Sequence, residues 1–167
     1  MALSDSYNFN NLSPNSFALI FPNIPGGSSS EMFILSVYGC NLPGLTLNAS
    51  DIRWQGGKTH LPGAVTDWAQ LSVNFVVNEK LDNWLALFKW MMFLNNNKDK
   101  YVEAERNKFS IDATLVLLDN WKKPIYEFKF INIFPVALGE LPLSSREGSH
   151  NIDTNAMFSY DRYEFVA

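Results

Sequence analysis

The sequence predicts a mainly β domain of the α+β kind, an antiparallel barrel or sandwich of about seven strands with one helix on its flank. Three observations carry this expectation. Apolar and polar residues alternate in several runs, as in Leu71, Val73, Phe75 and Val77 against Ser72 and Asn74, the period of a strand with one buried face. A single stretch, about 80–95, shows the three-and-four spacing of a convincing helix. Strand and helix units do not alternate along the chain, which sets parallel doubly wound folds aside.

Taken in order, residues 1–15 are polar and rich in Asn and Ser, an N-terminal arm with little apolar surface of its own. Phe17, Leu19 and Phe21 alternate as a strand ended by Pro22, and Phe33, Leu35 and Val37 are the expected hairpin partner. Leu42-Pro43-Gly44 makes a corner. Residues 45–66 read as an extended hairpin, turning at Gln55-Gly56-Gly57-Lys58, with few alternating apolar positions. Such a flap needs a partner surface. After the strand Leu71–Val77, Leu81, Trp84, Leu85, Phe88, Met91 and Met92 form a helical stripe that Leu87, Trp90, Phe93 and Leu94 widen, leaving a polar edge at Asn83 and Lys89. A helix apolar on most of its circumference must be covered from more than one side. Residues 101–108 are a charged connection with room for another helical turn. Phe109 to Leu117 and Ile125 to Ile131 form the next hairpin, turning at Asp119-Asn120. Pro135 interrupts the ladder, Gly139 gives room for a change of direction, and an aromatic closing strand runs from Met157 to Phe165.

The 167 residues suit one domain spanning 1–167. A net charge of −4 argues against an electropositive nucleic-acid surface. The single Cys40 leaves no internal disulfide to form and fits a reducing compartment. The start lacks a signal-peptide pattern, and the apolar run Trp84–Leu94 is shorter than the ~20 residues of a membrane span. The expectation is a soluble protein without membrane contact.

Signs of chemistry are sparse. Gly57-Lys58-Thr59 ends like a phosphate loop, but Ile52 stands where the first glycine belongs and Leu61-Pro62-Gly63 where a helix should follow. Asn95, Asn97 and Asp99 imitate a calcium loop without its glycine or closing glutamate. His60 and His150 have no second ligand at metal spacing. Asp112 and Glu127 could face each other across a hairpin as an acid–base pair, although solubilising charge is the plainer reading. No catalytic, cofactor or metal residue is expected, and no enzyme.

Ser13-Pro14-Asn15-Ser16-Phe17, the Leu42-Pro43-Gly44 corner, Pro62-Gly63 leading into Thr66-Asp67-Trp68, the helix ending near Trp90 and the Leu138-Gly139-Glu140-Leu141 step follow one another in a familiar order. That order, with the Phe134-Pro135 corner and the aromatic end, resembles the tail tube proteins of contractile bacteriophages along nearly the whole chain. Related rings of type VI secretion and of the baseplate look similar. The departures are Pro22-Asn23-Ile24-Pro25-Gly26-Gly27 and the longer aromatic helix. The resemblance implies a virion tail protein, assembled in the host cytoplasm into six-membered rings that stack into a hollow tube. Sheath, baseplate and tape-measure proteins would be its partners, and DNA would pass without specific binding.

Two sets of residues follow as candidate sites. Leu81, Trp84, Leu85, Phe88 and Met91 of the helix, with Trp54, Trp68 and Leu42, are the expected assembly interface, since aromatics are enriched at interface cores. Ser110, Asp112 and Thr114 are the expected lumen-facing residues, polar so that DNA can slide. A baseplate-proximal initiator or adaptor ring is an alternative within this class, and a monomeric β-module binding carbohydrate or protein is one outside it.

Overall fold

Leu71, Val73 and Phe75 are fully buried while Ser72 and Asn74 are only partly so, and the predicted alternation becomes a core strand. The computed structural model describes residues 12–25, 36–54, 56–98, 108–145 and 150–166; the side chains of residues 48, 54 and 64–67 lie outside that description. The elements are β1 (Phe17–Ile20), β2 (Val37–Asn41), β3 (Leu45–Trp54), β4 (Gly57–Trp68), β5 (Leu71–Val76), α1 (Asp82–Asn96), β6 (Ile111–Leu118), β7 (Pro124–Leu138), β8 (Asp153–Ser159) and β9 (Arg162–Val166). Residues 1–11 of the expected arm 1–15, residues 33–35 of the expected partner strand and residues 101–107 of the expected connection 101–108 lie outside the described residues.

Seven strands make one antiparallel sheet in the order β1, β6, β7, β8, β5, β2, with β9 also on β7. The sheet stays open, with β1 and β2 at its ends, so the barrel alternative is not realised. The mainly β fold with one flanking helix is. Among the described residues β1 and β2 do not pair with each other, as the expected hairpin would require. β1 pairs with β6 through Leu19 and Leu115, and β2 pairs with β5 through Cys40 and Val73. Leu19 is worth more against the buried Leu115 than against a local neighbour, because burial rather than proximity sets strand pairing.

β7 is the shared element. Its first part pairs with β6 and β9, and from Phe134 onward it pairs with β8. At the crossing point Asn132 adopts a left-handed conformation (φ 55), which asparagine tolerates better than most residues. Its amide donates to Asp112 Oδ1 (3.2 Å), its side-chain Nδ2 donates to Asp161 Oδ2 (2.7 Å), and its Oδ1 accepts from Ser110 Oγ (3.3 Å). Pro135 interrupts the ladder, as the sequence suggested, while the strand runs on to Leu138. It sits beside a bulge between Pro135 and Ala137, where a missing amide proton is tolerated. The aromatic closing strand is two strands, β8 and β9, with a corner at Tyr160-Asp161.

The core lies between the two halves of this sheet and α1. Leu19, Ala113, Leu115, Phe130 and Ile133 come from one half, Leu71, Val73, Phe75 and Phe158 from the other, and Ala86, Leu87 and Trp90 from the helix. The helix is fixed by both indoles that reach inward: Trp90 Nε1 donates to Phe109 O (3.0 Å) and Trp84 Nε1 to Gly139 O (3.3 Å).

Gly139 explains the Leu138-Gly-Glu-Leu141 step. Its amide donates to Asn155 O (2.7 Å), and a Cβ there would meet Thr154 Oγ1 and Asn155 Oδ1 at 2.5 Å. Gly139→Ala is expected to destabilise the fold by about 2 kcal/mol, the cost of overpacking, which lowers Tm by roughly 4–8 °C for a chain of this size. Gly44→Ala, where a Cβ meets nothing within 4 Å, should leave Tm unchanged. Calorimetry of the two variants checks this.

Candidate functional site

The helix has two apolar faces. Asn83, Ala86, Leu87 and Trp90 are buried against the sheet, the spacing of one helical stripe. Of the expected interface residues, Phe88 is 42% exposed, and Trp84, Leu85 and Met91 are half-buried. Trp84 stacks on Phe88 with centroids 5.4 Å apart, so an indole held to Gly139 supports an exposed phenyl ring. Leu81 starts the helix in a left-handed conformation (φ 62) without a side-chain cap.

Asn83 takes over the capping. Its Oδ1 accepts from Trp84 N (2.9 Å) and Asn78 N (3.3 Å), and its Nδ2 donates to Val76 O (2.7 Å). This corrects the expected polar edge: Asn83 is 1% exposed, buried by its hydrogen bonds to the backbone that enters the helix.

β3 and β4 form a separate two-stranded sheet, the flap expected over 45–66. Gly56 (φ 97) supplies the positive φ of its tight turn. Cross-strand register divides the flap into unlike faces. Ile52 and Leu61 lie on one with Ser50 and Thr59; Asp51, Arg53, Lys58 and His60 lie on the other. Asp51 accepts from His60 Nδ1 at 2.6 Å and sits 3.8 Å from Lys58 Nζ. Lys58 is thus a strand residue of a hairpin, and the phosphate-loop likeness has no structural counterpart.

Trp68, expected at an interface, packs within the chain. Its ring lies 5.0 Å from Tyr163 and 6.4 Å from Tyr160, which both approach the buried Phe130. Tyr160 OH donates to Ala69 O (2.6 Å) and Tyr163 OH to Pro43 O (3.3 Å), so both ends of the flap are tied to the β8–β9 corner and β9. Leu42, beside Pro43, is exposed. The side chain of Trp54 lies outside the described residues.

Among the expected lumen residues, Ser110 is buried and bonded to Asn132, which leaves little of it for any channel. Asp112 and Thr114 share the outer face of β6 and β7, where Asp112 pairs with Lys129 Nζ at 3.1 Å. Asp112 and Glu127 do not face each other: Glu127 stands opposite Val116, and the pairing breaks around Asp112. Among the described residues no group of three or more His, Cys, Asp or Glu could hold a metal.

Two features escaped the sequence reading. Trp121 is 83% exposed on a turn whose Asp119 Oδ1 accepts from Trp121 N (2.7 Å) and Lys123 N (2.8 Å). Tyr126, within the expected strand Ile125–Ile131, and Phe165, at the end of the expected closing strand, are 47% and 53% exposed with centroids 5.3 Å apart. Alternation shows that they share a face with Phe128 and Phe130; it does not show where that face runs out of cover.

The fold and its uncovered faces define a structural β-subunit, with apolar area left on the flap, the outer helix face and one sheet end. The chain belongs to the phage tail tube protein family, whose model matches residues 9–166. It is similar to the tail tube terminator protein of Enterobacteria phage T4, with 26% identity over 148 residues, 84% of this chain and 80% of that protein. Its fold is similar to the tube-terminating cap of the anti-feeding prophage, with a TM-score of 0.70, 13% identity and 99% of each chain covered. It is also similar to the sheath/tube terminator of the extracellular contractile injection system PVC, with a TM-score of 0.65, 14% identity and 95% and 98% covered. The protein is a structural component of a phage tail.

Cys40 packs against the core, and burial pushes its thiol from an ordinary 9.0 up to about 12; Tyr160 is raised from 10.0 to about 12 by burial and by Tyr163. Both groups bind protons more tightly when folded, so their contribution is fully present below the unfolded values and is lost as pH rises toward 12. The urea midpoint should fall between about pH 9 and 12, with a shallower slope in Cys40→Ala and Tyr160→Phe. Native Cys40 should resist thiol reagents that label it fully in urea.

Proposed function

We propose that this protein forms the ring that terminates the tail tube of a contractile tail. The observation that carries this reading is the joint likeness to two terminators: one by sequence over four-fifths of its length, the other by fold over 99% of both chains. A terminator and a repeating tube subunit share one fold but differ in their axial faces. A tube ring must match itself on both faces, whereas an end ring needs one face that matches the tube and one that does not. The main-tube ring and the baseplate initiator are the competing positions for the same fold.

In this reading copies of the chain close into a ring, six by family resemblance, with the exposed stripe of α1 buried where subunits meet. Phe88, propped by Trp84, is its central residue. An aromatic ring on a rigid support is the kind of group that dominates interface energy. The outer face of β6, β7 and β9 suits a channel wall. It carries Asp112, Glu127 and Glu164 against Lys129 and Arg162, three carboxylates to two bases, with Asp112–Lys129 and Arg162–Glu164 paired. A wall without free positive charge lets DNA and a tape-measure protein pass without being held. Sheath proteins are the proposed outer neighbours, and the baseplate stands at the other end of the tube.

Light scattering and negative-stain images of the purified protein test the assignment. Closed rings that do not extend alone, and that bind the ends of preformed tubes, are the expected result. Long tubes grown from this chain alone would move it to the main-tube position; a monomer at every concentration would restore the solitary β-module. Phe88→Asp should weaken ring formation at least about 30-fold, a loss of roughly 2 kcal/mol per contact, without changing Tm, because that side chain lies outside the core. Trp84→Asp is the poorer test, since its indole also holds the helix to Gly139.

A further inference from the structure

The half-sheet of β1, β6, β7 and β9 is longer than the core beneath it. Its inner face can be read in cross-strand rows. Ala113, Phe130 and Tyr163 form one row, with the first two fully buried. In the next row Leu19 and Leu115 are buried, Phe128 is half-buried and Phe165 is 53% exposed. In the last, Phe17 and Leu117 are half-buried and Tyr126 is 47% exposed. Cover is lost row by row toward the β6–β7 turn and strand by strand toward β9. What remains is an aromatic ledge of Tyr126 and Phe165 over Phe128, with Phe165 at 5.3 Å and 5.5 Å from the other two rings.

The flap is the second apolar surface without intramolecular cover. Among the described residues its strands pair only with each other, and toward its tip two exposed apolar side chains, Ile52 and Leu61, share one face. At ~3.3 Å per residue the ten residues of β3 extend about 33 Å, about twice the radius of gyration of roughly 15 Å expected for a domain of this length. The flap can therefore reach a neighbour while its root stays tied to Tyr160 and Tyr163.

We infer that the aromatic ledge of one copy is the seat for the apolar face of the flap of a second copy. This rests on the ring reading above and gives it a specific contact. Both surfaces carry exposed apolar side chains and no charge, and a ribbon with one charged face buries the other more readily. With Ile52 and Leu61 on the ledge, Asp51, Lys58 and His60 stay in water. Ledge and flap are different patches of one chain, so the contact is head-to-tail. It passes from copy to copy until the rotation closes, as a ring requires.

Disulfide trapping tests the seat. Copies carrying Ile52→Cys are mixed with copies carrying Phe165→Cys and oxidised, with wild type as the blank for half-buried Cys40. A band of twice the chain mass in the mixture, absent from either variant alone, is the expected result. Rings visible in the microscope without that mixed band, or an equally strong band from one variant alone, would overturn the seat and leave the ring reading standing. Absence of rings as well as of the band would overturn both. In the background without new cysteines, Phe165→Asp should abolish rings while Tm holds, because this side chain projects beyond the core. Rings that persist in Phe165→Asp would also refute the seat.

Discussion

One strand serves two half-sheets, and the rest of the molecule depends on that sharing. β7 could run straight through fifteen residues and leave two flat surfaces with no common interior. Instead Asn132 turns left-handed at the hand-over from β6 and β9 to β8, and Asp112, Asp161 and Ser110 occupy its polar groups. A left-handed non-glycine residue costs about 1 kcal/mol or more, and the three hydrogen bonds offset it at roughly 1 kcal/mol each. The halves then face each other across Phe130, Ile133 and Phe158, and α1 closes the open side with Leu87 and Trp90.

The same geometry sets where apolar residues are spent. Trp68, Tyr160 and Tyr163 lie around Phe130 at the root of the flap, and their hydroxyls hold Ala69 and Pro43. The flap is thus fixed at its base and free along its length. Rigid roots with uncovered faces lower the entropic cost of assembly, because less of each subunit has to be ordered at the moment of contact. Family membership and the fold agree on a structural tail component, and the chain leaves apolar area exposed on its flap, its helix and one sheet end.

By itself the sequence determined the strand periods, the single helix, the flap with its glycine turn and the family resemblance. Each is encoded by local spacing or by an ordered set of corners, such as Leu42-Pro43-Gly44 and Leu138-Gly139-Glu140-Leu141. Only the tertiary structure decided which strands pair, that Asn83 faces inward, that Trp68 is an internal anchor and that Tyr126 and Phe165 stand uncovered. Period-two alternation assigns a residue to a face, but whether that face is covered depends on how far the opposing layer extends, and contacts distant in sequence settle that.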